Sequence, residues 1–154
     1  MIRIAIIDDQ PDVRAVLRDF FSIHPDLSVV GEGGSGRDAL ELVRGRSVDV
    51  LLMDLSMPGQ NGVDALVQVQ SVAPAVRVLI LSGYPETPYA LQVLALGASG
   101  FLHKNCEPEA IIEAIRTVAR GRQYASLAVQ QRLLMRHLRD AARRKAKDSG
   151  AEQL

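Results

Sequence analysis

The stretch "IRIAIIDDQP" (residues 2–11) decides the fold, because an apolar run ends there in two adjacent carboxylates and is followed at once by a proline. The run is too continuous for a strand with one solvated face, so it predicts a strand buried on both faces, as in a parallel sheet. Pro11 suits the first position of a helix, where a missing N–H costs nothing. The stretch therefore predicts a buried strand, a pair of carboxylates and a helix, in that order.

The same alternation of strand and helix continues along the chain. Aliphatic and β-branched runs recur at residues 27–32, 48–54, 76–82 and 100–104. Segments with apolar residues at three- and four-residue spacing fall at residues 11–21, 36–45, 63–72, 86–97 and 108–121. Five strands alternating with five helices predict a doubly wound α/β fold, in which a five-stranded parallel sheet carries helices on both faces.

Length and composition restrict the class of protein. A chain of 154 residues is one domain with room for an appendage. Its single cysteine, Cys106, has no partner within the chain, so the sequence is typical of a cytoplasmic protein. No run approaches the roughly 20 apolar residues of a membrane span, and we expect no membrane partner.

Charge is distributed unevenly, although the formal net charge is zero. Residues 1–121 contain 10 Lys and Arg against 15 Asp and Glu, a balance of −5, while residues 122–154 contain 8 against 3, a balance of +5. An acidic body suits a cation-binding site. A basic tail is either a solvated helix face or a contact for an acidic partner.

Reactive side chains follow four of the predicted strands. Asp8 and Asp9 end the first strand, Asp54 the third, Ser82 the fourth and Lys104 the fifth. Each alone could be a helix cap or a solvated loop residue. Because ligands of open α/β sheets bind beyond the carboxyl ends of the strands, the five together predict a functional site at that edge.

The carboxylates of this predicted site need a cation. Two carboxylates about 4 Å apart repel by about 4 kcal/mol at an effective dielectric constant of 20, and Asp54 adds a third charge. Oxygen ligands of this kind favour Mg²⁺, which binds a few carboxylates together with water and phosphate oxygens. A nucleophilic carboxylate beside Mg²⁺, a hydroxyl and a lysine is the equipment for phosphoryl transfer to aspartate.

Four segments resemble the receiver domain of bacterial two-component response regulators: "IIDDQP", "LLMDLSMPGQNG", "LILSG" and "GASGFLHK". The resemblance covers residues 1–121 and implies the flavodoxin-like (βα)5 fold of that family. The segments "GASGFLHK" and "VVGEGGSGRDAL" are most similar to the NarL/FixJ subfamily.

The resemblance implies a role for each carboxylate. Asp54 corresponds to the residue that accepts the phosphoryl group. Asp8, Asp9 and Asp54 correspond to the Mg²⁺ ligands, together with the main-chain carbonyl of Ser56.

Further positions follow from the same resemblance. Ser82 and Phe101 correspond to the switch pair, and Lys104 to the residue that contacts the phosphoryl group. In the loop after Asp54, the residue types themselves, and not the resemblance, predict that Pro58 stiffens the chain and that Gly62 serves turn geometry. Many members of the family have a proline directly after the lysine, whereas residues 105–107 intervene here.

Tyr84 follows the fourth strand by two residues. Its ring either shields a phosphorylated Asp54 from water or lies flat on the surface.

The function implied by the resemblance is that of a response regulator, a phospho-accepting signalling domain rather than an enzyme. It would take a phosphoryl group from a sensor histidine kinase or a small phosphodonor, form a homodimer when phosphorylated, and control transcription through a helix-turn-helix domain that we expect to be absent from this chain. One alternative is a stand-alone regulator that acts by protein–protein contact. A less favoured alternative is an aspartyl-phosphate phosphatase, since Ser56 stands where such hydrolases place a second carboxylate.

The tail is predicted to be a linker helix. Residues 122–148 form a basic amphipathic segment with Ser126 as its cap, and Leu127, Leu134 and Leu138 lie near one face. A solvated linker is favoured over a DNA-binding element, because the tail has no second helix and no aromatic residues interleaved with its basic ones. Residues 149–154 are expected to be disordered.

Overall fold

The computed structural model describes residues 1–55 and 62–152 and confirms the predicted alternation of strands and helices. A five-stranded parallel sheet lies between two layers of helices, and a sixth helix follows. The elements are β1 Ile2–Ile7, α1 Pro11–Ser22, β2 Leu27–Gly33, α2 Gly36–Gly45, β3 Val50–Met53, α3 Gly62–Val72, β4 Arg77–Ser82, α4 Glu86–Ala95, β5 Gly100–His103, α5 Pro108–Ala119 and α6 Leu127–Glu152.

The order of the strands positions the site. The sheet runs β2-β1-β3-β4-β5, so the chain reverses its direction of winding between β1 and β3. Crevices for ligands open at this switch point, beyond the carboxyl ends of the strands. The register pairs Ile7 of β1 with Met53 of β3, so Asp8 and Asp54 are neighbours directly beyond the paired segment.

The core has two layers because both faces of the sheet are covered. On β1, Ala5 and Ile7 belong to the layer under α2, α3 and α4, while Ile4 and Ile6 belong to the layer under α1 and α5. All four side chains are at most 1% exposed. Burial on both faces explains why the strands are continuously apolar rather than alternating.

The segment after α5 closes the outer edge of the sheet. The Tyr124 N–H donates to the Ser99 carbonyl at 2.9 Å, and the Phe101 N–H donates to the Tyr124 carbonyl at 3.2 Å. Tyr124 thereby pairs with Gly100 and partly covers the otherwise open edge of β5.

Helix α6 then packs on α4. Ser126 caps it, accepting a hydrogen bond from the Val129 N–H at 3.3 Å, and the Ser126 hydroxyl also donates to the carboxylate of Glu86 at the start of α4. Val129 is 1% exposed within the core layer beneath α4, and Leu133 packs against the same layer. From Leu134 to Gly150 every residue is exposed.

The length of α6 differs from the expectation for the tail. The helix continues to Glu152, so residues 149–152, expected to be disordered, are helical in the structure. The run of alanine, arginine and lysine before them favours helix strongly enough to continue across Gly150. Residues 153 and 154 lie outside the described residues. Among the helices that the structure describes, none is both long enough and apolar enough to cross a membrane.

The docking of α6 predicts a difference between two truncations on the same helix. Val129→Ala removes buried methyl groups and should lower the free energy of unfolding by about 1–2 kcal/mol. Leu134→Ala, at a side chain 57% exposed, should change it by less than about 0.5 kcal/mol. Urea denaturation measures both, and equal effects would contradict the docking of α6 on α4.

Candidate functional site

Three carboxylates meet at the carboxyl edge of the sheet. One oxygen each from Asp8, Asp9 and Asp54 lies within 4.8 Å of the other two. Asp8 and Asp54 are buried, while Asp9 is exposed. The structure thus brings together the three acidic residues that the sequence placed at the ends of the first and third strands.

The main chain and neighbouring side chains fix Asp8. Its N–H donates to the Gly33 carbonyl at 3.0 Å, and its Oδ1 accepts from the Gln10 N–H at 2.9 Å. The Arg14 guanidinium donates to the Asp8 carbonyl at 2.6 Å. With these groups engaged, the second carboxylate oxygen, Oδ2, turns towards Lys104.

Lys104 joins two of the carboxylates. Its Nζ lies 3.0 Å from Asp54 Oδ2 and 3.2 Å from Asp8 Oδ2. The Lys104 N–H donates to the Ser82 carbonyl at 2.8 Å, which positions the lysine without a proline directly after it. The bond also joins the lysine to the strand end that carries the predicted switch hydroxyl.

The pKa of Lys104 reflects two opposing effects. Burial is the largest single effect and lowers the pKa, because it disfavours the charged ammonium. The hydrogen bonds and negative charges of Asp54 and Asp8 together outweigh burial, so the Lys104 pKa lies above its ordinary value. Lys104 is therefore a cation at neutral pH.

The donor set suits a hard divalent cation. When ionised, the three carboxylates carry three negative charges, and the Lys104 ammonium balances one of them. All three groups offer oxygen, and the exposed Asp9 leaves the cluster open on one side. Oxygen ligands with room for water are what Mg²⁺ requires, so the residues present fit that ion.

Ser82 ends β4, and Phe101 lies on the neighbouring strand β5. Ser82 is fully buried, and its hydroxyl oxygen accepts a hydrogen bond from the Tyr84 N–H at 3.0 Å. The Phe101 ring is 3% exposed and is already packed in the core layer beneath α4. The ring of Phe101 therefore already occupies a buried position in this structure.

The loop after Asp54 is described only at its ends. The Gly62 N–H donates to the Leu55 carbonyl at 3.0 Å. A Cβ at Gly62 would lie 2.5 Å from the Leu55 main chain, so this close approach requires glycine. Ser56 and Pro58, predicted as a metal ligand and a loop residue, lie outside the described residues.

An open cavity of about 300 Å³ gives access to Asp54. Asp9, Gln10, Gly83, Tyr84 and Lys104 line it together with Asp54. The Tyr84 ring stacks on Tyr89 of α4, with ring centroids 4.7 Å apart and planes 20° from parallel. Tyr84 thus borders the site and also lies against α4, and its shielding of a phosphorylated Asp54 stays a prediction.

Two residues near the site were missed by the sequence analysis. Arg14 could have been found, because side chains on a helix tilt towards its N-terminus and Arg14 follows Pro11 by three residues. Tyr89 could not have been found in this way. Pro85 separates it from Tyr84, so no helical or strand spacing relates the two rings.

The sequence pattern of the response regulator receiver domain matches residues 4–116. The chain therefore belongs to the response regulator receiver domain family, which confirms the resemblance seen in its motifs. Domains of this family are signalling domains rather than typical enzymes, and the family generally uses Mg²⁺.

Curated relatives support the assignment. The transcriptional regulatory protein DegU of Brevibacillus brevis is 38% identical over 138 residues, which cover 90% of this chain and 58% of DegU. The transcriptional regulatory protein UhpA of Salmonella typhimurium is 40% identical over 124 residues, which cover 80% of this chain and 62% of UhpA. The chain thus spans about three fifths of the length of these relatives.

Solved structures show the same fold. A LuxR-family two-component response regulator from Aurantimonas sp. matches with a TM-score of 0.80 and 30% identity, covering 88% of this chain and 97% of that one. The receiver domain of the putative response regulator NarL from Mycobacterium tuberculosis matches with a TM-score of 0.74 and 36% identity, covering 79% of this chain and 98% of that one.

The charge balance of the site predicts the effect of removing the lysine. Lys104→Met leaves the buried carboxylates of Asp8 and Asp54 without their cation and should lower the free energy of unfolding by about 1–3 kcal/mol in the presence of a chelator. Lys145→Met, on the exposed part of α6, serves as the control and should have little effect.

Combining Lys104→Met with Asp54→Asn tests the origin of that loss. The double variant should recover part of the stability, because one of the two buried carboxylates that Lys104 contacts is neutral. Additive losses in the double-mutant cycle would contradict the electrostatic explanation.

Proposed function

We propose that this chain is a phosphorylation-dependent switch in which Asp54 accepts a phosphoryl group. One observation carries the proposal: a buried carboxylate, paired with a lysine at 3.0 Å, lines an open cavity beside two further carboxylates. Burial and pairing hold the nucleophile in one position, and the cavity gives a donor access to it.

The proposal includes Mg²⁺ as the cofactor. Asp8, Asp9 and Asp54 would hold the ion through carboxylate oxygens, and the Ser56 carbonyl is proposed as a further ligand. When bound, Mg²⁺ supplies positive charge that stabilises the oxygens of the transferring phosphoryl group.

The transfer itself is a displacement at phosphorus. A carboxylate oxygen of Asp54 forms a bond to the phosphorus atom as the bond to the donor breaks, and the donor keeps that electron pair. The donor is the imidazole nitrogen of a phosphorylated sensor histidine kinase or the acyl oxygen of a small phosphodonor. Lys104, already beside Asp54, can exchange its hydrogen bond there for one to a phosphoryl oxygen.

The switch is proposed to begin at Ser82. Its hydroxyl now accepts a hydrogen bond from the Tyr84 N–H, and the same group can donate its proton to a phosphoryl oxygen. The Tyr84 ring stacks on Tyr89 of α4, and α6 packs on α4. A shift at Ser82 therefore has direct contacts through which to alter the surface formed by α4, β5 and α6.

The output is proposed to be control of transcription in the cytoplasm. The relatives DegU and UhpA are named transcriptional regulatory proteins, and this chain spans about three fifths of their length. We propose that a DNA-binding domain beyond these residues reads the promoter, and that phosphorylation promotes a homodimer. A sensor histidine kinase is the proposed upstream partner.

The identity of the phospho-acceptor can be tested by intact-mass measurement. Incubation with acetyl phosphate and Mg²⁺ should add one phosphoryl group to the wild-type chain, and hydroxylamine should remove it, as expected of an acyl phosphate. Asp54→Asn should gain none. Asp64→Asn, on the exposed face of α3, should react like wild type. Full labelling of the Asp54→Asn variant would contradict the assignment.

The position of Tyr84 predicts the lifetime of the acyl phosphate. Tyr84→Ala removes a ring that lines the cavity beside Asp54 and should speed dephosphorylation several-fold, because water gains access to the phosphorus. Tyr84→Phe keeps the ring and its stacking on Tyr89, so it should behave like wild type. Mass measurement over time monitors the loss of phosphate and gives the dephosphorylation rate of each variant. An unchanged rate in Tyr84→Ala would remove the shielding role.

A further inference from the structure

Helix α6 carries four arginines on one face. Arg132, Arg136, Arg139 and Arg143 are spaced by four, three and four residues, which places them within about 60° of one another around the helix axis. All four are exposed. We refer to these four residues as the arginine ridge, which extends for about 16 Å along the helix.

The arginine ridge lacks local neutralisation. In the part of the chain that the structure describes, none of its four guanidinium groups forms an ion pair, although Asp140 lies among them in the sequence. Arginines of the receiver body commonly have such a partner: Arg3, Arg14, Arg18, Arg37 and Arg116 each pair with a carboxylate. Like charges at this spacing destabilise a helix, and an external anion would relieve that repulsion.

The receiver body fixes the direction in which the ridge faces. Val129 and Leu133 dock α6 on α4, and the ridge lies beside this docked face. An open groove of about 450 Å³ lies between the two helices. The ridge, Met135 and Asp140 line it from α6, and Leu91 lines it from α4. The charges are therefore presented together along one groove rather than distributed around a free helix.

We propose that the arginine ridge binds the phosphate backbone of duplex DNA without reading base sequence. Arginine forms bidentate hydrogen bonds to phosphate, and four arginines in a row provide one such contact per helical turn. The helix contains no Phe, Tyr or Trp on which unpaired bases could stack, so a duplex is favoured over a single strand. Among the helices that the structure describes, none is joined to α6 by the short turn of a helix-turn-helix, so base recognition is not expected.

This site is separate from the proposed phospho-acceptor site. The ridge shares no residue with the cavity at Asp54. In a transcription regulator it would add affinity for DNA of any sequence beside a domain that reads a specific one.

The test uses the full 154-residue chain and two fluorescent DNA duplexes of equal length and unrelated sequence. Fluorescence anisotropy should show weak binding of equal strength to both duplexes. With four phosphate contacts, the affinity should fall by about 100-fold between 50 and 200 mM salt.

Two double variants with the same loss of charge locate the contact. Arg136→Gln with Arg139→Gln removes half of the ridge, while Arg144→Gln with Lys145→Gln removes two charges from other faces of the same helix. The ridge variant should lower the slope of log affinity against log salt by about 2, whereas the second variant should leave it nearly unchanged. Glutamine keeps helix propensity close to that of arginine, and circular dichroism checks the helix content.

Three results would overturn the proposal. Equal losses in the two double variants would mean that the overall charge of the tail, not the ridge, attracts DNA. Tighter binding to a polyglutamate peptide of equal charge than to the duplexes would identify the partner as an acidic protein. Binding that favours one duplex over the other would mean that the helix reads bases. Phosphorylation of Asp54 in each variant should match wild type, so that failure here is distinguishable from failure of the proposed switch.

Discussion

The contact of one ammonium with two buried carboxylates is the interaction on which the site depends. Lys104 bridges Asp8 and Asp54 at 3.2 and 3.0 Å, and Asp9 adds a third carboxylate that the lysine does not touch. When the three carboxylates are ionised, the Lys104 ammonium balances only one of their negative charges. The folded site therefore keeps an excess of negative charge. Such an arrangement is tolerated at a sheet edge where solvent and a cation have access.

The fold makes this arrangement possible through strand order. Asp8 and Asp54 are adjacent because β1 and β3 pair in register, and Lys104 arrives from β5 at the far side of β4. The hydrogen bond from the Lys104 N–H to the Ser82 carbonyl extends the backbone hydrogen bonding between β4 and β5 by one residue beyond the end of β5. The site therefore draws on four strands, β1, β3, β4 and β5, whose ends are held by the same backbone hydrogen bonds that hold the sheet.

Contacts continue from the site to the outer surface. Tyr84 lines the cavity and stacks on Tyr89, α4 carries Tyr89, and α6 packs on α4 through Val129. Each step is a direct packing contact between neighbouring elements. Through these contacts a rearrangement near Asp54 would reach α6. The Ser126 hydroxyl also joins the start of α6 to the start of α4 by its hydrogen bond to the Glu86 carboxylate.

Much of this architecture was readable from the sequence, for a physical reason. A strand buried on both faces must be continuously apolar, so the residue that ends the run is conspicuous, and Asp8, Asp54 and Lys104 were found in that way. Their convergence followed from the rule that parallel strands share a carboxyl edge.

Other features depend on packing between distant segments, which no local pattern encodes. The stacking of Tyr84 on Tyr89 is one example. The docked face of α6 is another, because the apolar residues noted in the sequence, Leu127, Leu134 and Leu138, are exposed, and Val129 packs on the core instead.

The central claim is that the three carboxylates form a cation site, and a magnesium titration of stability tests it most directly. Above the dissociation constant, each tenfold increase in Mg²⁺ should raise the free energy of unfolding of the wild type by about 1.4 kcal/mol. Asp9→Asn removes the exposed carboxylate and spares the Lys104 contacts. This variant should need a much higher Mg²⁺ concentration to reach the same rise in the free energy of unfolding. The matched control Asp12→Asn, on the exposed first turn of α1, should respond like wild type. A wild-type stability independent of Mg²⁺, or an unchanged response in Asp9→Asn, would contradict the account.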